Sequence, residues 1–420
     1  MLSLEHIVRD PKKFRASLIR RGEDPPIDRI LELDSRRKEL IQTADTDRAR
    51  RNAVSKAIGN EKRKPTAEEI IEMREAGDRI KDIESDLKAV LVELNATLLP
   101  LPNTPLDDVP DGLNEESNLV VHTSRGPIEE HGNAHWDVAT ELGILDLEAG
   151  SRLSGARFYV LKGKGAKLQR ALSAWMLDIQ TEENGYTEID PPLLVRRETM
   201  VGSGNLPKFR DELYHDGETD LWLIPTAEVA LNGLHQQEII GIGSLPIKYV
   251  AQTPSFRKEH TAGGRDSRGI KRVHQFEKVE MFRFVEPQDS AAALEEMLEE
   301  ASSLCNRLGL TYRVLTLCAG EIGFQSAKTF DIEVWSPGSA EWLEVSSIST
   351  CTDFQARRNN TRYRPKKGGS TRLPHTLNGS GLALPRIWVA IIENGLREDG
   401  SVVIPDVLVP YTGWERIEAS

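Results

Sequence analysis

The stretch FRKEHTAGGRDSRGIKRVHQFEKVEMF, Phe256 to Phe282, is the densest in chemistry of this 420-residue chain. Its ends favour extended backbone and its middle is rich in glycine, which predicts two strands joined by a loop. In a strand, alternate side chains share a face. Arg257 and Glu259 therefore point one way at the end of the first strand. Arg272, His274, Phe276, Lys278 and Glu280 do so on the second. The loop adds Arg265, Asp266 and Arg268. A planar guanidinium can clamp a phosphate or carboxylate. An aromatic ring can stack on a base, and two acids can accept from amino groups. Singly, each residue reads equally well as a salt-bridged strand charge or a core phenylalanine. As a set around a long loop, the functional reading is stronger.

Outward from this hairpin, FYVLKG, YTEIDPPLLV, LWLIPTAEVAL, TFDIEVW and EWLEVSSIS also read as strands. Residues 167–182, 291–308 and 386–396 read as helices. There is no regular β-α-β alternation, so a doubly wound parallel sheet is not favoured. The pattern predicts an α+β fold with a mixed, mostly antiparallel sheet flanked by helices.

Residues 27–98 differ. They are charged and poor in aromatics, and no proline lies between Pro26 and Pro65. Met73, Ala76, Ile80, Ile83, Leu87, Val90 and Leu94 form a heptad seam. Ile30, Leu33, Leu40, Ala44, Val54 and Ile58 mark a looser stripe before it. Pro65 breaks the helix, and Thr66 with Glu69 predicts a capping box that restarts it. The expectation is a long antiparallel helical hairpin (a coiled coil) with its tip near residues 62–65. From Arg36 to Lys64 there are ten basic and four acidic residues; from Pro65 to Leu98 there are four and nine. Two limbs attracting each other across the hairpin explain this asymmetry well. A basic limb for phosphate contacts is the sharper reading, with Arg36, Arg37, Arg48, Arg50, Arg51, Lys62, Arg63 and Lys64 as candidates. The proline- and aspartate-rich stretch at 99–112 is a linker. Two domains are expected, residues 1–103 and 104–420.

The net charge of −12 argues against a general nucleic-acid coat but allows a local basic patch. Three cysteines, Cys305, Cys318 and Cys351, form no CxxC pair, and the nine histidines form no HExxH. Neither a disulfide framework nor a zinc site is expected. No apolar run approaches ~20 residues, so no membrane span is expected. Glu5 and Asp10 count against a transit peptide, and a cytoplasmic protein is expected. GKGAK at 163–167 and GSGN at 202–205 complete neither GxxxxGK[ST] nor GxGxxG and read as turns. A nucleotide would have to be held by arginines and a carboxylate-bound metal.

FRxE, a loop and RVHQFEKVE resemble motif 2 of class II aminoacyl-tRNA synthetases, in the form found in seryl-tRNA synthetases. The resemblance runs along nearly the whole chain. GARFYVLKGKGAKLQRAL through NGYTEIDPPLLV resembles motif 1, which in this class builds a homodimer interface. IPTAEVAL resembles the TxE element that binds serine. FDIEVWSP, EWLEVSSIS and DFQARR match the stretch before motif 3. TLNGSGLALPRIWVAIIEN resembles motif 3, with Arg386 as its arginine. The helical hairpin matches the N-terminal tRNA-binding arm of the common bacterial-type branch rather than the zinc-dependent one, so no zinc is expected.

The resemblance implies a serine–tRNA ligase that makes seryl-adenylate from L-serine and ATP, then serylates the 3′ end of tRNA(Ser). Whether tRNA(Sec) is also served stays open. By the same resemblance, Arg257, Glu344 and Arg386 are catalytic. ATP is bound by Arg257, Lys258, Glu259, Val273, Phe276, Glu344, Val345, Ser346, Ser347 and Arg386. Glu344 and Ser347 hold Mg²⁺. Serine is bound by Thr226, Ala227, Glu228, Arg257, Glu280, Asn378 and Ser380. The tRNA contacts are Arg36, Arg37, Arg48, Arg51, Lys62, Arg63 and Lys64. Departures from the family pattern are His260 after FRxE, EVALNG for the usual EVPLTN, SSISTCTDF, and Pro385 before Arg386; none removes an expected ligand. A synthetase-like paralogue without charging activity, a ligase loading a carrier protein and a coiled-coil scaffold are the competing readings. The intact motif residues weigh against the first, and the hairpin against the second. The last leaves three-quarters of the chain unexplained.

Overall fold

The computed structural model describes residues 1–259 and 268–418. His260, Arg265 and Asp266 lie outside the described residues. The chain divides into two compact units, one of Leu2–Ile19 with Glu23–Leu101, the other of Met1, Arg20–Gly22 and the chain from Pro102 onward.

In the first unit two short helices, α1 (Leu4–Arg9) and α2 (Pro11–Ile19), precede the long pair α3 (Ile27–Asn60) and α4 (Ala67–Leu98). The expected capping box is present: Thr66 Oγ accepts from Glu69 N at 3.2 Å, and Glu69 returns a carboxylate oxygen to Thr66 N at 2.8 Å. The seam is buried at Ile30, Leu33, Leu40 and Ala44 on α3 and at Ala76, Ile80 and Leu94 on α4. Toward the tip, Val54, Ile58 and Met73 are only half covered. Two helices alone cannot enclose a core there, so charge faces water on most sides.

The second unit is built on an eight-stranded sheet of β1 (Leu119–Thr123), β2 (Thr187–Glu188), β3 (Ile247–Phe256), β4 (Gln275–Val285), β5 (Tyr312–Thr316), β6 (Lys328–Ser336), β7 (Glu341–Thr352) and β8 (His375–Ala383). Its spatial order is β1-β5-β6-β7-β8-β4-β3-β2. Every pairing is antiparallel except β2 with β3. The accompanying helices include α5 (His135–Glu141), α6 (Lys164–Asp178), α7 (Glu228–Gly233), α8 (Ser290–Arg307), α9 (Phe354–Asn359) and α10 (Leu384–Gly395).

Alternation decides the two faces of this sheet. Val279, Met281, Ile348, Leu377 and Leu382 join the main core with Leu172 and Met176 of α6, Met297 and Leu304 of α8, and Trp388 and Ile391 of α10. Removing a side chain as large and buried as Trp388 would cost about 3–5 kcal/mol. Phe276, Lys278 and Glu280 point to the opposite face, where the cavity opens.

Several local expectations change. LWLIPTAEVAL is not one strand: the strand stops at Leu223, and Glu228–Gly233 is helical. Alanine, leucine and glutamate favour that turn of helix once Pro225 has ended the extended run. FYVLKG keeps only Val160–Leu161 as strand before α6 begins inside GKGAK. TLNGSGLA, rich in turn-forming residues, is the central strand β8. Its Gly379 is closely packed: a Cβ there would sit 3.0 Å from Ile348 Cγ1, which would have to give way by a few tenths of an ångström. Arg272 and His274 precede β4 rather than belonging to it.

Candidate active site

A cavity of about 760 Å³ lies over β4, β7 and β8, a size suited to a nucleotide-sized ligand. Its walls include Arg257, Glu259, Val273, Phe276, Glu344, Val345, Ser347 and Arg386 from the expected nucleotide set. Thr226, Glu228, Glu280, Asn378 and Ser380 of the expected serine set also line it. Lys258, Ala227 and Ser346 do not. Lys258 Nζ sits 5.8 Å from the centre of the Tyr214 ring, Ala227 is buried directly before α7, and Ser346 Oγ donates to Ser380 O at 2.6 Å.

One irregularity of the sheet gathers the acid and hydroxyl of β7. Residues three apart in a regular strand face opposite ways, so Glu344 and Ser347 should not share a wall. Ile332 pairs with Ser346 while Glu333 pairs with Glu344, which leaves Val345 as the extra residue of a bulge. The bulge resets the alternation, and Glu344, Ser347 and Ser349 all reach the cavity. A second bulge, at Gly381 of β8, lies between the pairs Val279–Leu382 and Glu280–Ser380.

Arg386 stands in the first turn of α10, where Pro385 is tolerated because that turn's N–H groups have no helical partner. Its Nη1 donates to Glu344 O at 2.7 Å and lies 3.4 Å from Glu344 Oε2, and its Nε donates to Lys271 O at 3.2 Å. Ser347 pairs with Asp331 across β6 and β7. Burial and the Glu344 charge hold the Asp331 carboxyl well above the usual range, and its Oδ1 has no hydrogen-bond partner. Two neighbouring acids with an orphaned buried oxygen fit a divalent cation. Among the described residues no group of three or more His, Cys, Asp or Glu could enclose a metal.

Arg257 follows directly after β3, its guanidinium 5.1 Å from the centre of the Phe276 ring and its Nε donating to Pro225 O at 3.2 Å. Glu259 has left-handed backbone, φ 48°, and meets Arg272 at 3.4 Å. At the other end, Lys278 Nζ lies 2.5 Å from Glu280 Oε2, an ion pair without hydrogen-bond alignment. Glu228 is buried beside them. Burial and then the Glu280 charge push its carboxyl up to about 7.

Four features lay outside the residues picked for roles from sequence. Lys278 was placed on the right face but given no role. Gln325 and Gln355 donate to Glu228; Gln355 sits within the quoted DFQARR but was given no role. Asp331 sits within the quoted FDIEVWSP, but its approach to Glu344 depends on strand pairing. Further back, buried His135 donates through Nδ1 to Glu393 of α10 at 3.1 Å and accepts from Ile270 N at 3.2 Å.

On the hairpin, most of the expected tRNA contacts are engaged with acids. Arg36 meets Glu39 at 2.8 Å and Asp86 at 3.8 Å, Arg37 meets Asp34 at 2.7 Å, and Arg48 meets Asp45 and Glu84. Arg63 bridges Glu61 and Glu69. Arg51, Lys62 and Lys64 are exposed and form no ion pair among the described residues.

Residues 1–105 match the seryl-tRNA synthetase N-terminal domain, and residues 209–395 match the class II core domain of synthetases for G, H, P, S and T. A serine–tRNA ligase of Thermomicrobium roseum is 52% identical over 99% of this chain and 94% of its own length. The crystal structure of seryl-tRNA synthetase from Pyrococcus horikoshii, complexed with ATP, is 35% identical over the full length of both chains, with a TM-score of 0.94. That of cytoplasmic serine–tRNA ligase from Naegleria fowleri, in complex with AMP, is 30% identical over 100% of this chain and 99% of its own, with a TM-score of 0.89. Ordered motifs, an arm-plus-core architecture and one cavity gathering the motif side chains agree with these likenesses: the chain belongs to the seryl-tRNA synthetase family of class II aminoacyl-tRNA synthetases.

Proposed function

We propose that the cavity activates L-serine with ATP and transfers it to tRNA(Ser), with one end for the amino acid and the other for the nucleotide. The observation that carries this reading is the convergence of Arg257, Glu344 and Arg386 with Thr226, Glu228 and Glu280 on one cavity.

Glu228 and Glu280 receive the serine ammonium and hydroxyl, with Thr226, Asn378 and Ser380 around them. Arg257 holds the serine carboxylate against the α-phosphate. The carboxylate is itself the nucleophile, so no Ser-His-Asp arrangement is needed. Catalysis is positioning, with Arg257 and Arg386 stabilising charge as pyrophosphate leaves. Phe276 offers a face to adenine, and Glu259 reads its amino group. Glu344 and Ser347 would hold Mg²⁺, which when bound neutralises triphosphate charge. The 3′-hydroxyl of the tRNA then attacks the adenylate carbonyl, forming the seryl ester as the bond to phosphate breaks and AMP and the hydroxyl proton leave.

A pocket that hydrogen-bonds the serine hydroxyl leaves polar groups unpaired when alanine enters, and such sites discriminate by roughly 10⁴–10⁵. The arm, residues 1–103, carries the tRNA contact, with Arg51, Lys62 and Lys64 its most available cations. The chain works as a homodimer in the cytoplasm. Exposed Leu119, Val120 and Val121 on edge strand β1 support an association surface, and no described helix is long and apolar enough to cross a membrane.

The test is ATP–pyrophosphate exchange with a panel of amino acids, followed by charging of total tRNA. Serine alone should drive exchange, and tRNA(Ser) should be charged. Exchange with alanine or glycine but not serine would overturn the specificity. Exchange without charging would favour a carrier-protein ligase.

A further inference from the structure

The carboxylate of Glu228 is held by two side-chain amides. Gln355 Nε2 donates to Glu228 Oε1 at 2.6 Å. Gln325 Nε2 lies 3.2 Å from Oε1 and 3.4 Å from Oε2. The Gln355 amide cannot turn over. Its Nε2 also donates to Ser203 O at 3.0 Å, and a carbonyl only accepts. Its Oε1 accepts from Thr376 Oγ1 at 2.6 Å, and Gln355 itself is fully buried. α9 and β8 thus fix an N–H against a carboxylate on α7.

The surroundings make this grip matter. Glu280 of β4 is a second buried carboxylate facing Glu228, and its charge favours the neutral form of Glu228. Lys278 of β4, ion-paired to Glu280, and the Asn378 amide of β8 oppose that push. Cys351 of β7 is a further titratable group facing Glu228. An amide N–H bonds the charged carboxylate better than the neutral acid.

We propose that Gln355 is a positioning residue for amino-acid capture, whose locked amide keeps Glu228 ionised and aimed so that the serine ammonium meets a carboxylate. This rests on the reading of Glu228 as the receiver of that ammonium. A protonated Glu228 would present a hydroxyl in competition with the N–H groups of the substrate. Gln325 is the weaker second donor, and Thr376 acts through Gln355.

The experiment is the pH profile of kcat/KM for serine in exchange, from pH 5.5 to 8.5 at saturating ATP, since that profile reports the ATP-bound enzyme before serine binds. Binding needs the ionised form, so activity falls as pH drops through the Glu228 pKa, near 7 in the parent. Gln355→Leu removes a donor to the anion, which raises that pKa and moves the acid limb upward. A one-unit move gives about eightfold loss at pH 6.5. The loss shrinks toward pH 8.5, and KM for ATP stays unchanged. Thr376→Val, which frees the amide without touching Glu228, should move the limb the same way by less, and it serves if Gln355→Leu does not fold.

An unmoved limb, or a loss by one factor at every pH, overturns the proposal. Glu228→Gln separates the two ideas. If it abolishes serine-dependent exchange while the Gln355 and Thr376 profiles stay parallel to the parent, only the role of Gln355 fails. If it leaves kcat/KM for serine intact, the reading of Glu228 fails with it.

Discussion

The hairpin and the cavity are both dense in arginine and glutamate, yet they use them in opposite ways. On the hairpin, Arg29–Glu93, Arg48–Glu84 and Arg50–Glu72 join the two helices through exposed pairs. Water and salt screen such pairs, and each contributes little. In the cavity, a few charges sit where screening is weak. There a single carboxylate, Glu228 or Asp331, leaves its ordinary range because it is buried and, after that, because a second carboxylate stands beside it. The same residue types give a tolerant surface in one region and a demanding one in the other.

The largest expected effect belongs to the cavity. Arg386→Ala should lower exchange by about 10²–10³-fold, as the loss of one charge-stabilising donor does. The fold should survive, because the guanidinium bonds carbonyls at the mouth of α10 while the helix is anchored by Ile387, Trp388 and Ile391. A drop of less than tenfold in single-turnover activation would remove Arg386 from the chemistry.

An intermediate effect belongs to the hairpin tip. Reversing Arg51, Lys62 and Lys64 to Glu together should raise KM for tRNA by about tenfold or more. It should also flatten the salt dependence of binding, by about one in log–log slope for each phosphate that is no longer neutralised. Exchange should not change. Equal loss of exchange and charging would show that the tip acts through folding.

The smallest effect is on hairpin stability. Hydrogen bonds from Arg63 and from Thr66 N hold the Glu69 carboxyl down at about 2. A depressed acid stabilises the fold above its ordinary pKa and loses that contribution as pH falls through the lowered one. The difference in melting temperature between the parent and Glu69→Gln should therefore be full above pH 5 and shrink toward pH 2. A difference that grows on acidification would break the assignment of Glu69 as the capping acid.

Elements with strong local signals were legible in the sequence. The hairpin followed from its heptads and from the Thr66–Glu69 pair, and β4 followed from the alternation of Phe276, Lys278 and Glu280. What escaped depends on pairing across the chain. β8 hides behind Gly379 and Gly381, whose smallness answers to Ile348 and Val279 rather than to a turn. The end of the TAEVAL run as helix α7 was masked by apolar residues that suit either state. Site residues were legible where a motif carried them. Gln355, Lys278 and Asp331 lie within quoted motif stretches, but the buried acids that Gln355 and Asp331 meet, Glu228 and Glu344, are brought to them by the fold, and no spacing in the sequence reports that.

The bulge at Val345 also governs how this strand can change over generations. Because the extra residue sets which side of the sheet Glu344 and Ser347 occupy, the site depends on how many residues stand between Leu343 and Ser347 as well as on which they are. Replacing Val345 by another apolar residue keeps the residue count, and with it the side on which Glu344 and Ser347 stand. Deleting it would let β6 and β7 pair without interruption and turn Glu344 away from Arg386 and the cavity. A better-ordered sheet and a functional one are alternatives here, and drift in this strand is open to substitution while closed to indels.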